Sequence, residues 1–238
     1  MNYTYGLKKG IPIALGYLSV SFGFGISAVE KGIAPLGAVL ISLFNLTSAG
    51  QVAGVTVMTA MGTVMEMIAA QLVINLRYSL MGIALTQKLS DKFTFLKRLI
   101  ASFGITDEVF VMAASEKEEI TPMYMYGLIT LPIVGWTFGT FLGAFSGSFL
   151  PVSVRSALGL AIYSMFVAII VPPARDSKPI AVTVILSSVI SCIHYYIPYL
   201  KTHISGGFAI ILCALITALT VAKICPVKES EEDLPDEC

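Results

Sequence analysis

The chain has 238 residues, 56% of them hydrophobic and only 13% charged, with a mean hydropathy of +0.84. A typical soluble domain is about 25% charged, and fifteen basic with fifteen acidic side chains are too few to cover a water-exposed fold of this length. No Asp, Glu, Lys or Arg occurs in residues 10–29, 32–65, 120–154, 156–174, 179–200 or 202–222, and runs of this length read as membrane spans. A soluble domain is excluded, and an all-α polytopic membrane protein is expected.

The formal net charge of zero is the sum of two unequal parts. Through Val227 there are fourteen basic and nine acidic residues, a body of +5, while residues 229–237 hold six acids. Residues 225–238 therefore read as a solvated acidic tail, with no implication of nucleic-acid or metal binding. Cys192, Cys213 and Cys225 fall within or beside apolar runs and read as small buried hydrophobes rather than a disulfide framework.

In chain order, residues 1–9 are expected on the cytoplasmic side. The run Gly10–Val29, behind Lys8 and Lys9, reads as a retained first span, because no small-residue cleavage site follows a short apolar core. Glu30, Lys31 and Gly32 make a tight turn. Residues 33–86 then carry only Glu66 and Arg77 as charges, a stretch long for two spans and tight for three. Polar Asn45, Thr47, Ser48 and Gln51 cluster between Gly50, Gly54 and Gly62, a pattern that broken or re-entrant helices accommodate.

A basic loop over about 87–98 (Lys88, Asp91, Lys92, Lys97, Arg98) leads into residues 99–114, interrupted by Asp107 and Glu108, and into the charged linker Glu116–Glu119. Later apolar runs cover about 122–149, 155–171, 179–199 and 205–224, with Pro172 and Pro173 expected to stop a helix. Gly135, Gly139, Gly143 and Gly147 stand four apart on one helical face, a ridge suited to close helix contact. Placing the basic clusters inside leaves Lys31, Arg155 and Lys201 outside. Six to eight spanning segments within residues 10–224, with both termini cytoplasmic, satisfy this layout.

A weak two-repeat organisation is also visible. Ile11-Pro12-Ile13 is echoed 120 residues later by Leu131-Pro132-Ile133, and Phe22-Gly23 by Leu142-Gly143. Such a repeat places a transport site at the interface of its halves.

Sparse polar residues are the candidates for function. Glu66 lies in a membrane-length run, so it must pair, protonate or face a polar cavity. It reads either as an ammonium counter-ion or proton-coupling group, or as a helix-end carboxylate or structural partner of Arg77. Arg77 itself can snorkel to headgroups or clamp a carboxylate, with Asn75 nearby as donor and acceptor. Thr106 followed by Asp107 and Glu108 reads as a helix cap with acids in the first turn, or as a gate or ion-coupling pair. Ser48, Gly50 and Gln51 permit an unwound backbone whose amides hold a carboxylate, or simple small-residue packing. His194 and His203 lack a metal-ligand pattern, and no phosphate-binding loop or dinucleotide fingerprint occurs. An enzyme, a metal and a cofactor are not expected.

Asn75-Leu-Arg77-Tyr78, Thr106-Asp107-Glu108, Ser48-Ala-Gly-Gln51, the Gly135-Trp136 to Gly143 run and Ala157 to Ile162 occur in the order found in the AzlC family. The chain resembles this family, the large subunits of bacterial branched-chain amino acid exporters, from about Gly10 to Ile224. The resemblance implies export of valine, leucine, isoleucine or analogues across the bacterial cytoplasmic membrane, with a small AzlD-like membrane subunit as partner. It carries Ser48, Gly50, Gln51, Asn75, Arg77, Asp107 and Glu108 over as family elements. Family members often have Asp where this chain has Ala161 and Phe where it has Ile162, which bears on charge balance and coupling. Lacking an ATP site, such a transporter is expected to be secondary, driven by a proton or another ion gradient. A permease or channel for another small solute, or a membrane scaffold, would share the same spans.

Overall fold

The computed structural model describes residues 1–146, 149–151, 153–154 and 160–225. The acidic residues of the tail, Arg155, Gly147 and the start of the Ala157–Ile162 stretch lie outside the described residues, as do the side chains of Ala161 and Ile162. The described residues form helices joined by turns and short breaks, without a strand. Two units are distinguishable, Met1–Phe166 and Val167–Cys238.

The first unit is organised by two long helices, α1 (Tyr3–Glu30, 28 residues) and α7 (Pro122–Ser146, 25 residues). At 1.5 Å per residue they measure about 42 and 38 Å, more than the roughly 30 Å of a hydrocarbon core. They run parallel. Gly6 lies against Tyr124 and Leu128, Gly10 against Leu128 and Pro132, Gly139 against Leu18 and Ser21, and Gly143 against Phe22. The register is close to 120 residues throughout, so the sequence echo is a pair of packed equivalent helices.

The contact is reciprocal as well as parallel. A Cβ on Gly10 would stand 2.6 Å from the Leu128 carbonyl oxygen, and one on Gly135 would stand 2.6 Å from that of Ala14. Backbone meets backbone from both sides, which is what the glycine ridge provides in place of side-chain interdigitation. Pro12 and Pro132 sit inside the two helices at matched height. The first unit's larger core cluster gathers around this pair, with Trp136, Tyr124 and Leu128 almost wholly buried.

Parallel packing of α1 and α7 requires the chain between them to return to its starting end. Five helices fill that interval: α2 (Pro35–Phe44), α3 (Ala49–Thr59), α4 (Val64–Thr86), α5 (Phe95–Phe103) and α6 (Asp107–Ala114). Only α4, with 23 residues, is long enough to cross. The other four have 8 to 11 residues, or about 12 to 17 Å, half a hydrocarbon core.

These short helices form two hairpins that enter from opposite ends. α2 starts beside the end of α1, where Ala38 packs with Phe24, Ala28 and Ala144, and descends until Ser42 meets Thr140. After the break at Asn45–Ser48, α3 runs back antiparallel to α4, with Gly50 beside Gln71 and Asn75 and Gly54 beside Met67. At the other end, a bridge between Leu89 and Ile120 joins the end of α4 to the start of α7. From there α5 rises past Tyr126 and Gly104 packs on Ile129; α6 then descends to Glu116 beside Tyr5 and Tyr124. The expected interruption of residues 33–86 is thus a re-entrant pair, and residues 99–114 form a second.

The second unit contains α9 (Lys178–Tyr196), a short α10 (Pro198–His203) and α11 (Gly206–Ile224). α9 and α11 are antiparallel, with Cys213 beside Ser187 and Ser191 and His194 Nε2 3.0 Å from the Ile204 carbonyl oxygen. Helix α8 (Ala161–Asp176) precedes them. The expected stop at Pro172-Pro173 is corrected. α8 includes both prolines and ends one turn later at Asp176; each proline forfeits a donor to the carbonyl four residues back, and the helix outlasts them by only that turn.

Among the described residues, five helices are long and apolar enough to cross a membrane: α1, α4, α7, α9 and α11. The expected six to eight counted apolar runs. Its lower bound took one crossing plus a re-entrant segment between Lys31 and Lys88, as α4 and the α2–α3 hairpin supply, and its sixth run, at 155–171, falls partly outside the described residues.

Candidate functional site

Both hairpin tips stop at the middle of the long helices, where the polar residues of the first unit gather. Tyr17 stands halfway along α1, Trp136 near the middle of α7, and Asn75 and Arg77 near the middle of α4. Tyr17 and Trp136 meet edge to face at 5.1 Å between ring centroids and form the floor between the two tips.

The tip of the α2–α3 hairpin is tied down by a ring of directed hydrogen bonds. Trp136 Nε1 donates to Gln51 Oε1 at 2.8 Å, and Gln51 Nε2 donates to Ser42 Oγ at 2.9 Å. Ser42 and Thr140 share a 2.6 Å hydrogen bond, and Thr140 Oγ1 donates back to the Trp136 carbonyl at 3.0 Å. An indole N–H can only donate, so the direction of the whole ring is fixed. Gln51 is 1% exposed and faces α7. Its carboxamide oxygen is committed to the fold rather than turned to a solute.

The break beside this ring is strained. Ser48, the N-terminal cap position of α3, has φ +50°, a conformation that costs a non-glycine residue energy. Asn45 Oδ1 accepts from the Thr47 hydroxyl at 2.7 Å and from its amide at 3.3 Å, holding the unwound segment. A Cβ on Gly50 would strike Thr47 Oγ1 and stand 2.8 Å from Gln71 Oε1, so Gly50 leaves room for polar groups.

The tip of α5–α6 presents acids. Thr106 caps α6, its Oγ1 accepting from the Val109 amide at 3.4 Å, with Asp107 and Glu108 in the first turn. The capping geometry does not exhaust these acids. Arg77 Nη1 donates to Asp107 Oδ2 at 2.5 Å, and Arg77 Nη2 to Tyr78 Oη at 3.2 Å. The Tyr17 hydroxyl lies 2.6 Å from Thr106 Oγ1 and donates to the Glu108 carboxylate in a short hydrogen bond. The side chains of Arg77 and Asp107 remain 41% and 35% exposed, so this ion pair is reachable.

α4 therefore stands between the hairpins and offers a different face to each. Gln71 and Asn75, one turn apart, face α3, while Arg77 faces α6. Glu66 is distant from both. It lies in the first turn of α4, at the end opposite Leu89, where Thr63 caps the helix by accepting from the Glu66 amide at 3.1 Å. Eleven residues separate Glu66 from Arg77, about 16 Å along the helix, so of the alternatives read for Glu66 the pairing with Arg77 is not formed, and Arg77 pairs with Asp107.

At the end where α1 and α7 begin, a third cluster ties α6 to the long helices. Lys9 Nζ is 3.4 Å from Glu116 Oε1, which also accepts from Tyr124 Oη at 3.0 Å and Tyr5 Oη at 3.3 Å. Lys88 Nζ reaches the carbonyls of Ala114 at 2.5 Å and Glu116 at 3.0 Å.

The structure thus places Ser48, Gly50, Gln51, Asn75, Arg77, Asp107 and Glu108 at the hairpin tips or on the helix between them, and Glu66 at one end of that helix. Tyr17, Ser42, Gln71, Trp136 and Thr140, which stand beside them, were not singled out from the sequence. Gln71 was legible there, standing one helical turn before Asn75 in an uncharged run. Tyr17 had no local signal, because its partners come from Thr106 and Glu108.

The sequence has relatives among known proteins. Residues 12–150 match the family model described as AzlC protein. The chain belongs to the AzlC family. It is 28% identical to the inner membrane protein YgaZ of Escherichia coli over 93% of this chain and 91% of that one. An uncharacterized membrane protein of Archaeoglobus fulgidus is 31% identical over 71% of this chain and 75% of its own length. One from Helicobacter pylori is 26% identical over 58% and 61% respectively. No solved structure matches the chain. The matched family region ends with α7 and so contains both hairpins and α4.

Proposed function

We propose that this AzlC protein is a secondary transporter exporting branched-chain amino acids across the bacterial cytoplasmic membrane, with its solute site at the α2–α3 break. The observation that carries the reading is the pair of half-depth hairpins meeting at mid-height. Each enters from one end, spans about half a hydrocarbon core, and is held to the long helices by side-chain contacts at its tip.

In this reading the solute carboxylate rests at the first amides of α3, where the helix dipole is positive. The broken backbone there can approach a ligand closely because Gly50 carries no side chain. The branched side chain occupies apolar space beside the break. On the other face of α4, the Arg77–Asp107 pair and the Tyr17–Glu108 contact serve as the coupling group. Uptake of a proton or another cation by the acids releases Arg77 and Tyr17, and the α5–α6 hairpin moves. The Lys9–Glu116 and Lys88 contacts hold that hairpin closed on the side we assign to the cytoplasm, where the basic residues cluster. Coupling then follows from geometry: the hairpins share α4, so the state of one biases the other. A small AzlD-like subunit belongs to the same proposal as partner.

The test is efflux of labelled valine from proteoliposomes containing the protein, with and without the small subunit, under an imposed proton or sodium gradient. Gradient-dependent efflux that Asp107→Asn abolishes is the expected result. Fast downhill flux indifferent to both gradients would mean a channel-like permease instead. No flux of any amino acid from correctly inserted protein would overturn the proposal.

A further inference from the structure

The face of α4 turned toward α3 carries an amide relay whose direction is fixed by its first member. Gln71 Nε2 donates to the Gly50 carbonyl at 2.8 Å and lies 3.8 Å from Met67 Sδ. Both neighbours are acceptors, so this end of the carboxamide must be the nitrogen. Gln71 Oε1 then points at Asn75, whose Nδ2 donates to it at 2.9 Å. That leaves Asn75 Oδ1 as the end of the relay. The atom is buried without a hydrogen-bond partner, and so is Ser48 Oγ at the break opposite.

A carboxamide free to rotate would relieve an orphaned oxygen by turning its nitrogen inward. Asn75 cannot, because turning would oppose two oxygens at Gln71. A locked, buried acceptor left empty costs about 1–3 kcal/mol, so the site is built for a group that donates hydrogen bonds or coordinates oxygen, as an ammonium or a small cation does. The first amides of α3 bring a positive helix end to this break. α2 ends at Phe44 just before the break, and its last carbonyls bring the negative end of a helix dipole to the same place. Thr47 Oγ1, Gln71 Oε1 and Asn75 Nδ2 crowd the position above Gly50, two oxygens and one nitrogen.

We propose that Asn75 Oδ1 and Ser48 Oγ form the seat of a cationic group, either the ammonium of the transported solute or a small monovalent cation, with Gln71 as the positioning residue that aims it. The ammonium source rests on the transport reading above; the inorganic cation does not. Where the solute is an amino acid, the seat complements the carboxylate position at α3, and the two ends of the zwitterion meet the two ends of one broken helix.

The experiment uses the full-length protein in detergent, with labelled valine and its des-amino analogue isovalerate as probes. Each is measured in sodium and in N-methylglucamine buffers, and thermal unfolding reports on sodium alone. With ammonium in the seat, wild type prefers valine to isovalerate in both buffers. Asn75→Leu then weakens valine binding about tenfold or more and leaves isovalerate unchanged. Gln71→Leu erodes the same preference, which a merely structural role would not do, and Asn75→Asp restores it. With an inorganic cation in the seat, sodium raises the unfolding temperature and strengthens both probes, and Asn75→Leu removes that response. Valine binding and sodium response both unchanged in folded Asn75→Leu would overturn the seat while leaving the transport reading intact. A sodium response lost in Asn75→Leu, with no valine binding by wild type, would overturn that reading while leaving the seat. Absence of both from wild type would sink the two together.

Discussion

Replacing Trp136 by phenylalanine tests whether the α2–α3 hairpin is anchored as the fold implies. The substitution keeps an aromatic ring against Tyr17 but removes the indole N–H that Gln51 Oε1 accepts from at 2.8 Å. Interhelical hydrogen bonds in membrane proteins average only about 0.6 kcal/mol. Here Trp136 and Gln51 are each 1% exposed, so no water can replace the lost donor. The cost belongs with orphaned buried groups, about 1–3 kcal/mol. Lost ring volume adds to this, and a double-mutant cycle removes that contribution. Gln51→Leu in the Trp136→Phe background deletes the orphaned oxygen, so the double variant should be about 1 kcal/mol more stable than the two single effects summed. Unfolding of the detergent-solubilised protein, measured for wild type, both single variants and the double variant, gives the coupling directly. Additivity to within about 0.3 kcal/mol would show that the ring does not hold the hairpin.

Other expectations follow from the same geometry. Gly10→Val places a branched side chain where even a Cβ stands 2.6 Å from the Leu128 carbonyl. It should destabilise the protein by about 1–3 kcal/mol or more, whereas Gly16→Val, with nothing near its Cβ position, should cost under about 1 kcal/mol in thermal unfolding. Arg77→Gln should abolish gradient-dependent efflux with little loss of folded protein, and the charge exchange Arg77→Asp with Asp107→Arg should recover abundance better than either single change. Glu116→Gln weakens the contact with Lys9, so a cysteine placed on α6 should react faster with a membrane-impermeant maleimide; an unchanged rate would argue against a latch.

The sequence by itself determined the solvent in which this protein folds, the placement of most long helices, and a short roster of polar exceptions. The reason is local: a charge-free run of span length has few stable alternatives in water. Thr106 with Asp107 and Glu108 was readable as a cap for the same reason, since capping needs only neighbours in the chain. Even the two-repeat echo was present, in Pro12 and Pro132 and the residues flanking them.

Pairing was decided only by tertiary structure. Arg77 had two acidic regions within reach of argument, Glu66 on its own helix and Asp107 beyond a basic loop. Only the rise of α5–α6 to mid-height selects Asp107. The 33–86 stretch could hold one crossing or three, because a half-depth hairpin and a span are equally apolar. The parallel packing of α1 on α7 fixes an odd number of crossings, and helix length then leaves α4 alone to make it. Gln51 shows the limit most clearly. As a polar residue in an uncharged run it looked available to a solute, until Trp136, 85 residues away, took its oxygen. Asn75 became the open acceptor instead, because a backbone carbonyl on another helix set which way its amide must face.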